Sequence, residues 1–178
     1  MRIILPRIIE LLSPVDSQQQ SRAVPTSYKH AAAFTLSRML ATTKSLTLKI
    51  ISPILHGRFL PGLQSASAAP SVSDAISILT TLFTSTDPSP LLAQAIIEPI
   101  LVPLYNLSAH LDTQRISDPG LKESARGLLR TWARLVAREE ATSGLWDVVQ
   151  GKGGWGGGEE AQWAWDIGEE GLEVVRAG

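Results

Sequence analysis

The chain has 178 residues, a net charge of −1 and no cysteine. The missing cysteine excludes disulfides, thiolate chemistry and a Cys-based zinc site, and the balanced charge excludes a strongly basic protein built to coat nucleic acid directly. With 44% apolar and 19% charged residues the composition is that of a folded globular chain, long enough for one ordinary domain or a few turns of a repeat array.

The opening segment, MRIILPRIIELLSPVD, carries a positive charge and leucines, but Pro6, Arg7 and Glu10 interrupt it and no small-residue cleavage site follows. It reads as a helix face, and so abrupt a start in helical periodicity is expected of a piece of a longer protein. Beyond a connector at 13–27, residues 29–43 place Ala32, Leu36, Met39 and Leu40 on one face, and residues 46–60 are apolar with an interior Pro53. Together they are expected to form a helical hairpin. After the Ser-, Pro- and Gly-rich connector at 61–71, residues 72–86 carry Val72, Ala75, Ile76, Leu79, Leu82 and Phe83 at helical spacing.

The most apolar stretch follows a short connector at 85–90. Leu91 to Leu107 is 17 residues, at the short limit for crossing a hydrocarbon core of roughly 30 Å. Glu98 near its centre would cost about 3 kcal/mol in a bilayer, and Pro99 and Pro103 would each free a backbone carbonyl there. No membrane span is therefore expected. The same residues predict a bent helix in water, capped by Ser89 with Pro90 at the first helical position and paired with the 72–86 helix. Leu92, Ile96, Pro99, Ile100, Pro103, Leu104, Leu107 and Leu111 form one stripe, and Ile97, Leu101 and Tyr105 a second. A helix apolar on two sides needs neighbours on two sides, as in a stack.

Asp118 caps and Pro119 opens the next helix, whose apolar stripe runs Leu121, Ala125, Leu128, Leu129, Trp132, Leu135 and Val136. A shorter helix, SGLWDVVQ, follows. The first helices of three pairs start near residues 29, 73 and 119, offsets in the range of HEAT and armadillo repeats, roughly 40–47 residues. The expected fold is thus all-α, a HEAT/armadillo-like α-solenoid of antiparallel helix pairs over 1–150, with an irregular helical bundle, which could give the same offsets, as the alternative. Residues 151–178 differ in kind: a glycine-rich linker, GKGGWGGGEE, and an acidic tail. In that tail Gln162–Ile167 and Leu172–Arg176 alternate around GEEG and predict a small β-hairpin. A lone hairpin is marginal in water, so Trp155, Trp163 and Trp165 are its expected anchors.

Motifs for chemistry are sparse. His30, His56 and His110 lie in separate elements outside any HxxxH or HExxH pattern. Ser108, His110 and Asp112 resemble a triad in order only, because helical residues i and i+2 point about 200° apart. GKGGWGGG lacks the Ser or Thr that a phosphate loop needs after Lys152, and Asp74, Asp87, Asp118 and Glu123 read as helix caps and first-turn acids. These residues predict no catalytic, cofactor or metal site. The charge is uneven, with eight Lys/Arg against four Asp/Glu in 1–90 and three against nine in 138–178. Lys122, Arg126, Arg130, Arg134 and Arg138 recur every fourth residue. That pattern is either a solvated helix face or a docking surface for an acidic segment, from another protein or this chain's own tail. Trp155 and Trp163 join these five as candidate partner contacts.

Several words of the chain are characteristic: SVSDAISILTTLFTSTDPSPLLAQAIIEPILVPLYNLSAHLD, LWDVVQGKGGW, the final WxWDIGEEG, and above all TDPSP (Thr86–Pro90) and RGLLRTW (Arg126–Trp132). Over roughly residues 45–175 the chain resembles the C-terminal region of the fungal RNA polymerase II assembly and nuclear-import factor family, related to animal transport-and-Golgi-organisation proteins. The resemblance implies a long, non-enzymatic α-solenoid that binds polymerase subunits and their assembly partners in the cytoplasm and helps deliver them to the nucleus. It also implies a rival role as a trafficking adaptor in Golgi organisation and secretion. The glycine insertion at 153–158 departs from the family pattern. An enzyme of unknown type is a third class, against which the missing nucleophile, metal and phosphate motifs count.

Overall fold

The computed structural model describes residues 4–13, 24–60, 70–85, 89–114, 118–150, 163–168 and 171–176. It is mostly helical, with a two-stranded hairpin at the end of the described chain. Helix α1 (Ile4–Leu12) buries Leu5, Ile8, Ile9 and Leu12 along one side and leaves the Arg7–Glu10 ion pair outside. The expected helix face at the start of the chain is present.

Residues 26–55 form two helical arms that meet at a sharp kink at Thr43, where the expected boundary between the 29–43 and 46–60 helices lies. Helix α2 runs Thr26–Leu55 with non-helical angles only at Thr43 (φ −136°, ψ 50°). The sequence there, ATTKS, holds no Gly or Pro. It offers hydroxyls instead, and the Met39 carbonyl accepts from Thr43 Oγ1 at 3.1 Å and from Thr47 Oγ1 at 3.2 Å. Eight residues of straight helix would rise about 12 Å, so the Thr47 bond to Met39 O marks a sharp change of direction, with side-chain hydroxyls standing in for the helical N–H. Ala32, Leu36 and Leu40 are buried as expected, and Met39 is half-buried against the core.

Helix α3 (Val72–Ser85) buries all six predicted positions. Ser71 precedes it, its Oγ accepting from the Asp74 N–H at 3.1 Å. The Pro90 segment begins as predicted: Ser89 Oγ accepts from the Leu92 N–H at 3.2 Å and Pro90 occupies the first turn. It then divides into α4 (Pro90–Ile96), a 3₁₀ turn (Glu98–Ile100) and α5 (Leu101–Thr113). Pro99 has no N–H to continue the ladder, and the Ile100 N–H turns to Ile97 O at 3.0 Å. The predicted stripe is buried except Pro99, which is exposed, and in the second stripe Ile97 and Leu101 are buried while Tyr105 is exposed.

By length and composition Pro90–Thr113 could cross a membrane, but its apolar residues mostly face the protein interior. Its closest backbone approaches are α4 to α2 and α6, and α5 to α6, while α3 lies against α2 and α6. The expected pairing of α3 with the Pro90 helix is thus not the main contact. A seven-residue helix ending in a bend has room to follow different neighbours on its two sides.

Helix α6 (Pro119–Leu135) has the predicted cap: Asp118 Oδ1 accepts from the Gly120 N–H at 2.8 Å and the Leu121 N–H at 3.3 Å. Leu121, Ala125, Leu128, Trp132 and Val136 are buried, while Leu129 and Leu135 are half-buried. Extended backbone at Val136 and Ala137 ends it, and α7 (Arg138–Val149) begins earlier than the sequence pattern predicts. A Cβ at Gly144 would sit 2.9 Å from the Trp132 ring, so glycine lets α7 close on α6.

Strands β1 (Trp163–Gly168) and β2 (Gly171–Arg176) pair antiparallel, with Trp165 opposite Val174. The hairpin docks. Trp165 is buried, its Nε1 donates to Pro103 O at 2.9 Å, and its ring meets Phe59 edge-on at 5.8 Å. Gly171 has φ +106°, a conformation side-chain-bearing residues avoid. Gln162 and the linker 151–162 lie outside the described residues.

Candidate protein-binding surface

The predicted cationic ridge is two surfaces. Lys122 and Arg126 both reach Asp112 on α5, Arg126 Nη2 donating to its two oxygens at 2.8 and 2.7 Å. The hydrogen bond from Lys122, followed by that from Arg126, holds the Asp112 carboxyl below its usual pKa. Arg130 reaches back to Glu123 at 2.8 Å. These three cations are thus spent within the protein, two of them tying α5 to α6. Arg134 and Arg138 are exposed and have no carboxylate partner among the described residues. Nor does Arg138 share the helix of the other four: it is the first residue of α7, beyond the break at Val136.

Arg138 borders an apolar face that sequence reasoning missed. Ala141 and Val148 are the buried residues of α7, and its other large apolar side chains turn outward. Trp146 is 60% exposed, Val149 68% and Leu145 40%. Arg138, Glu139, Thr142, Ser143 and Trp146 line a shallow, open depression along this face. The signal was present in SGLWDVVQ. Four apolar residues within five positions, Leu145, Trp146, Val148 and Val149, cannot all face one side of a helix.

The tryptophan candidates separate. Trp165 is the anchor, Trp155 lies outside the described residues, and Trp163 is half-buried against the core, with its indole N–H enclosed and unpaired. Trp163 is therefore mainly a packing residue, because its strand's alternation turns it inward with Trp165.

The histidines are separate too. His30 Nδ1 contacts Ser85 O, tying α2 to the end of α3. His56 is buried, with Nε2 at 2.8 Å from Ile96 O, the carbonyl left without its helical partner by the 3₁₀ turn. Burial pushes its pKa from 6.5 down to about 4, the Ile96 bond opposing this only in part. A neutral imidazole donating from Nε2 fits that contact. Ser108 is buried, His110 Nε2 lies 3.2 Å from the Gln114 amide, and Asp112 is held by Lys122 and Arg126, so the three do not assemble as a triad. Among the described residues no three His, Asp or Glu side chains come together as metal ligands.

Comparison of the chain with protein-family models, curated proteins and solved structures finds no match.

Proposed function

We propose that the chain is a non-enzymatic protein-binding scaffold and, following the resemblance described above, that it serves the assembly and nuclear import of RNA polymerase II. The observation that carries the binding reading is the α7 face, where Trp146, Leu145 and Val149 stand exposed on the same helix as Arg138. Trp and Arg are enriched among residues that dominate binding energy, and among the described residues nothing covers this outward apolar cluster. A HEAT- or armadillo-like stack is supported by two observations. Helices α2, α3 and α6 begin 46 and 47 residues apart, and α3 lies against both of the others.

Affinity capture from cell extract tests this, using the tagged full chain beside a Trp146→Ala, Arg138→Glu double variant. Recovery of polymerase subunits by the parent and not the variant supports the reading. Recovery of coat proteins in their place favours the trafficking adaptor, and capture indifferent to the variant removes the α7 face from the interface.

A further inference from the structure

A second surface stands on independent observations. Between α2 and α4 lies a cavity of about 140 Å³, walled by Ser37, Ala41 and Lys44 on one side and Leu91 and Ala95 on the other. Its origin is local. Ser37, Ala41 and Ala95 are too small to fill the space between the helices, and the bend at Thr43 lies beside it. Leu91 is 60% exposed at its edge, and Phe34, one helical turn before Ser37, is 64% exposed. An apolar cavity of about 150 Å³ holds a benzene-sized group. This one matches a single leucine or phenylalanine side chain.

The charge on the α2 side of it has one sign, while the nearest carboxylates on the α4 side are Glu98 and Glu140, the latter engaged by the Gln94 amide at 2.8 Å. Arg22, Lys29, Arg38, Lys44, Lys49 and Arg58 lie between Asp16 and Asp74 with no Asp or Glu among them. Four of these belong to α2, and among the described residues no carboxylate pairs with Lys29, Arg38, Lys44 or Lys49. The contrast with α6, where Lys122, Arg126 and Arg130 all find carboxylates, is direct. In a chain of net charge −1, an acid-free stretch of this length is a local positive field that attracts anionic partners.

We propose that the α2–α4 groove binds an acidic amphipathic helix of a partner protein. One leucine or phenylalanine of that helix enters the cavity, neighbouring apolar side chains rest on Phe34 and Leu91, and flanking carboxylates meet Arg38 and Lys44. This is helix-in-groove recognition, in which apolar residues at i, i+3 and i+4 supply the anchors and charge supplies the selection. The groove does not depend on the α7 face.

A display library of random helical peptides, selected on the immobilised full chain, tests the chemistry without presuming the partner. Enriched peptides are expected to combine Leu or Phe at helical spacing with adjacent Asp or Glu. The best of them, synthesised, should bind at least ten-fold more weakly to Ala41→Trp, which fills the cavity, and to Arg38→Glu with Lys44→Glu, which reverses the field. It should bind Trp146→Ala as well as the parent. All these positions are exposed, and unchanged circular dichroism of each variant confirms the fold. No enrichment, enrichment of neutral or basic peptides, or indifference to both groove variants overturns the proposal. So does displacement of the peptide by phosphatidylserine vesicles with no effect of Ala41→Trp, which marks a generic basic surface. A dimer in sedimentation that Phe34→Glu dissolves overturns it as well, since the occupant is then a second copy.

Discussion

The bend in α2 at Thr43 and the break between α4 and α5 at Glu98–Ile100 both interrupt a helix, and they are mended in different ways. At Thr43 the donors are local: the hydroxyls of Thr43 and Thr47 reach Met39 O from within eight residues. Around the 3₁₀ turn they are remote. His56, forty residues earlier, reaches Ile96 O, the carbonyl the turn frees, and Trp165, sixty-two residues after Pro103, docks the hairpin just beyond the turn by donating to Pro103 O inside α5. A locally mended break depends only on its own segment. A remotely mended one makes the end of α2, the α4–α5 bend and the hairpin lean on one another, and so concentrates cooperativity there.

The largest expected break comes at Trp165. Trp165→Ala removes the ring packed on Phe59 and the donor to Pro103 O, and should cost about 3 to 5 kcal/mol in urea denaturation. Trp165→Phe keeps an aromatic ring but loses the N–H and part of the buried indole volume, for about 2 to 3 kcal/mol. If both variants unfold like the parent, the hairpin is not part of the cooperative unit and the contrast between the two breaks disappears.

His56 sharpens the same contrast through pH. Its folded pKa is about 4 against an ordinary 6.5, so between those values the unfolded chain binds the proton and the folded chain does not. Stability therefore falls as pH drops from 6.5 towards 4, by about 3 kcal/mol for this group in full, and the term levels off below pH 4. His56→Gln removes the titration. The difference in unfolding free energy between parent and variant, followed across that window, should shrink or reverse as pH falls; a constant difference removes the buried neutral imidazole from the account.

What the sequence made legible follows this division of local from remote. Ser89, Asp118, Pro90 and Pro119 act within one turn, and each is found where its residue type predicts. The α3 stripe and most of the Pro90 stripes were readable because helical periodicity is local as well. The pairing of the two strands was legible from alternation around GEEG, but their register and the anchor on Pro103 come from the structure. The division of the cationic ridge was illegible for the same reason, since Asp112 lies on a different helix from Lys122 and Arg126 and nothing in their spacing brings it to them. The outward face of α7 was legible in principle, and was obscured by treating every apolar helical residue as core.

Gly144 tests close packing away from either break. Its Cα approaches Trp132 so closely that a methyl group would stand 2.9 and 3.2 Å from ring carbons and 3.5 Å from Leu101. Alanine has the better helix propensity by about 1 kcal/mol. Overpacking typically costs about 1 to 3 kcal/mol. Gly144→Ala should therefore give a net loss near 1 kcal/mol in urea denaturation, and a gain would mean that α7 moves freely on α6.

The smallest expected effect lies at the locally mended bend, and it completes the comparison. Thr43 is exposed, and its hydroxyl supplies one of several bonds to Met39 O. Thr43→Ala should cost no more than about 1 kcal/mol, because water replaces an exposed hydroxyl and Thr47 keeps its bond to the same carbonyl. Thr47 is fully buried, so Thr47→Val leaves Thr43 and Met39 O to find another partner and should cost about 1 to 2 kcal/mol. The informative measurement is the double variant. If losing both hydroxyls costs more than the sum of the single losses, the two threonines mend one carbonyl together and either alone suffices. Strict additivity would mean that the bend is held by packing against α1, α3 and α4, and that the hydroxyls merely occupy it.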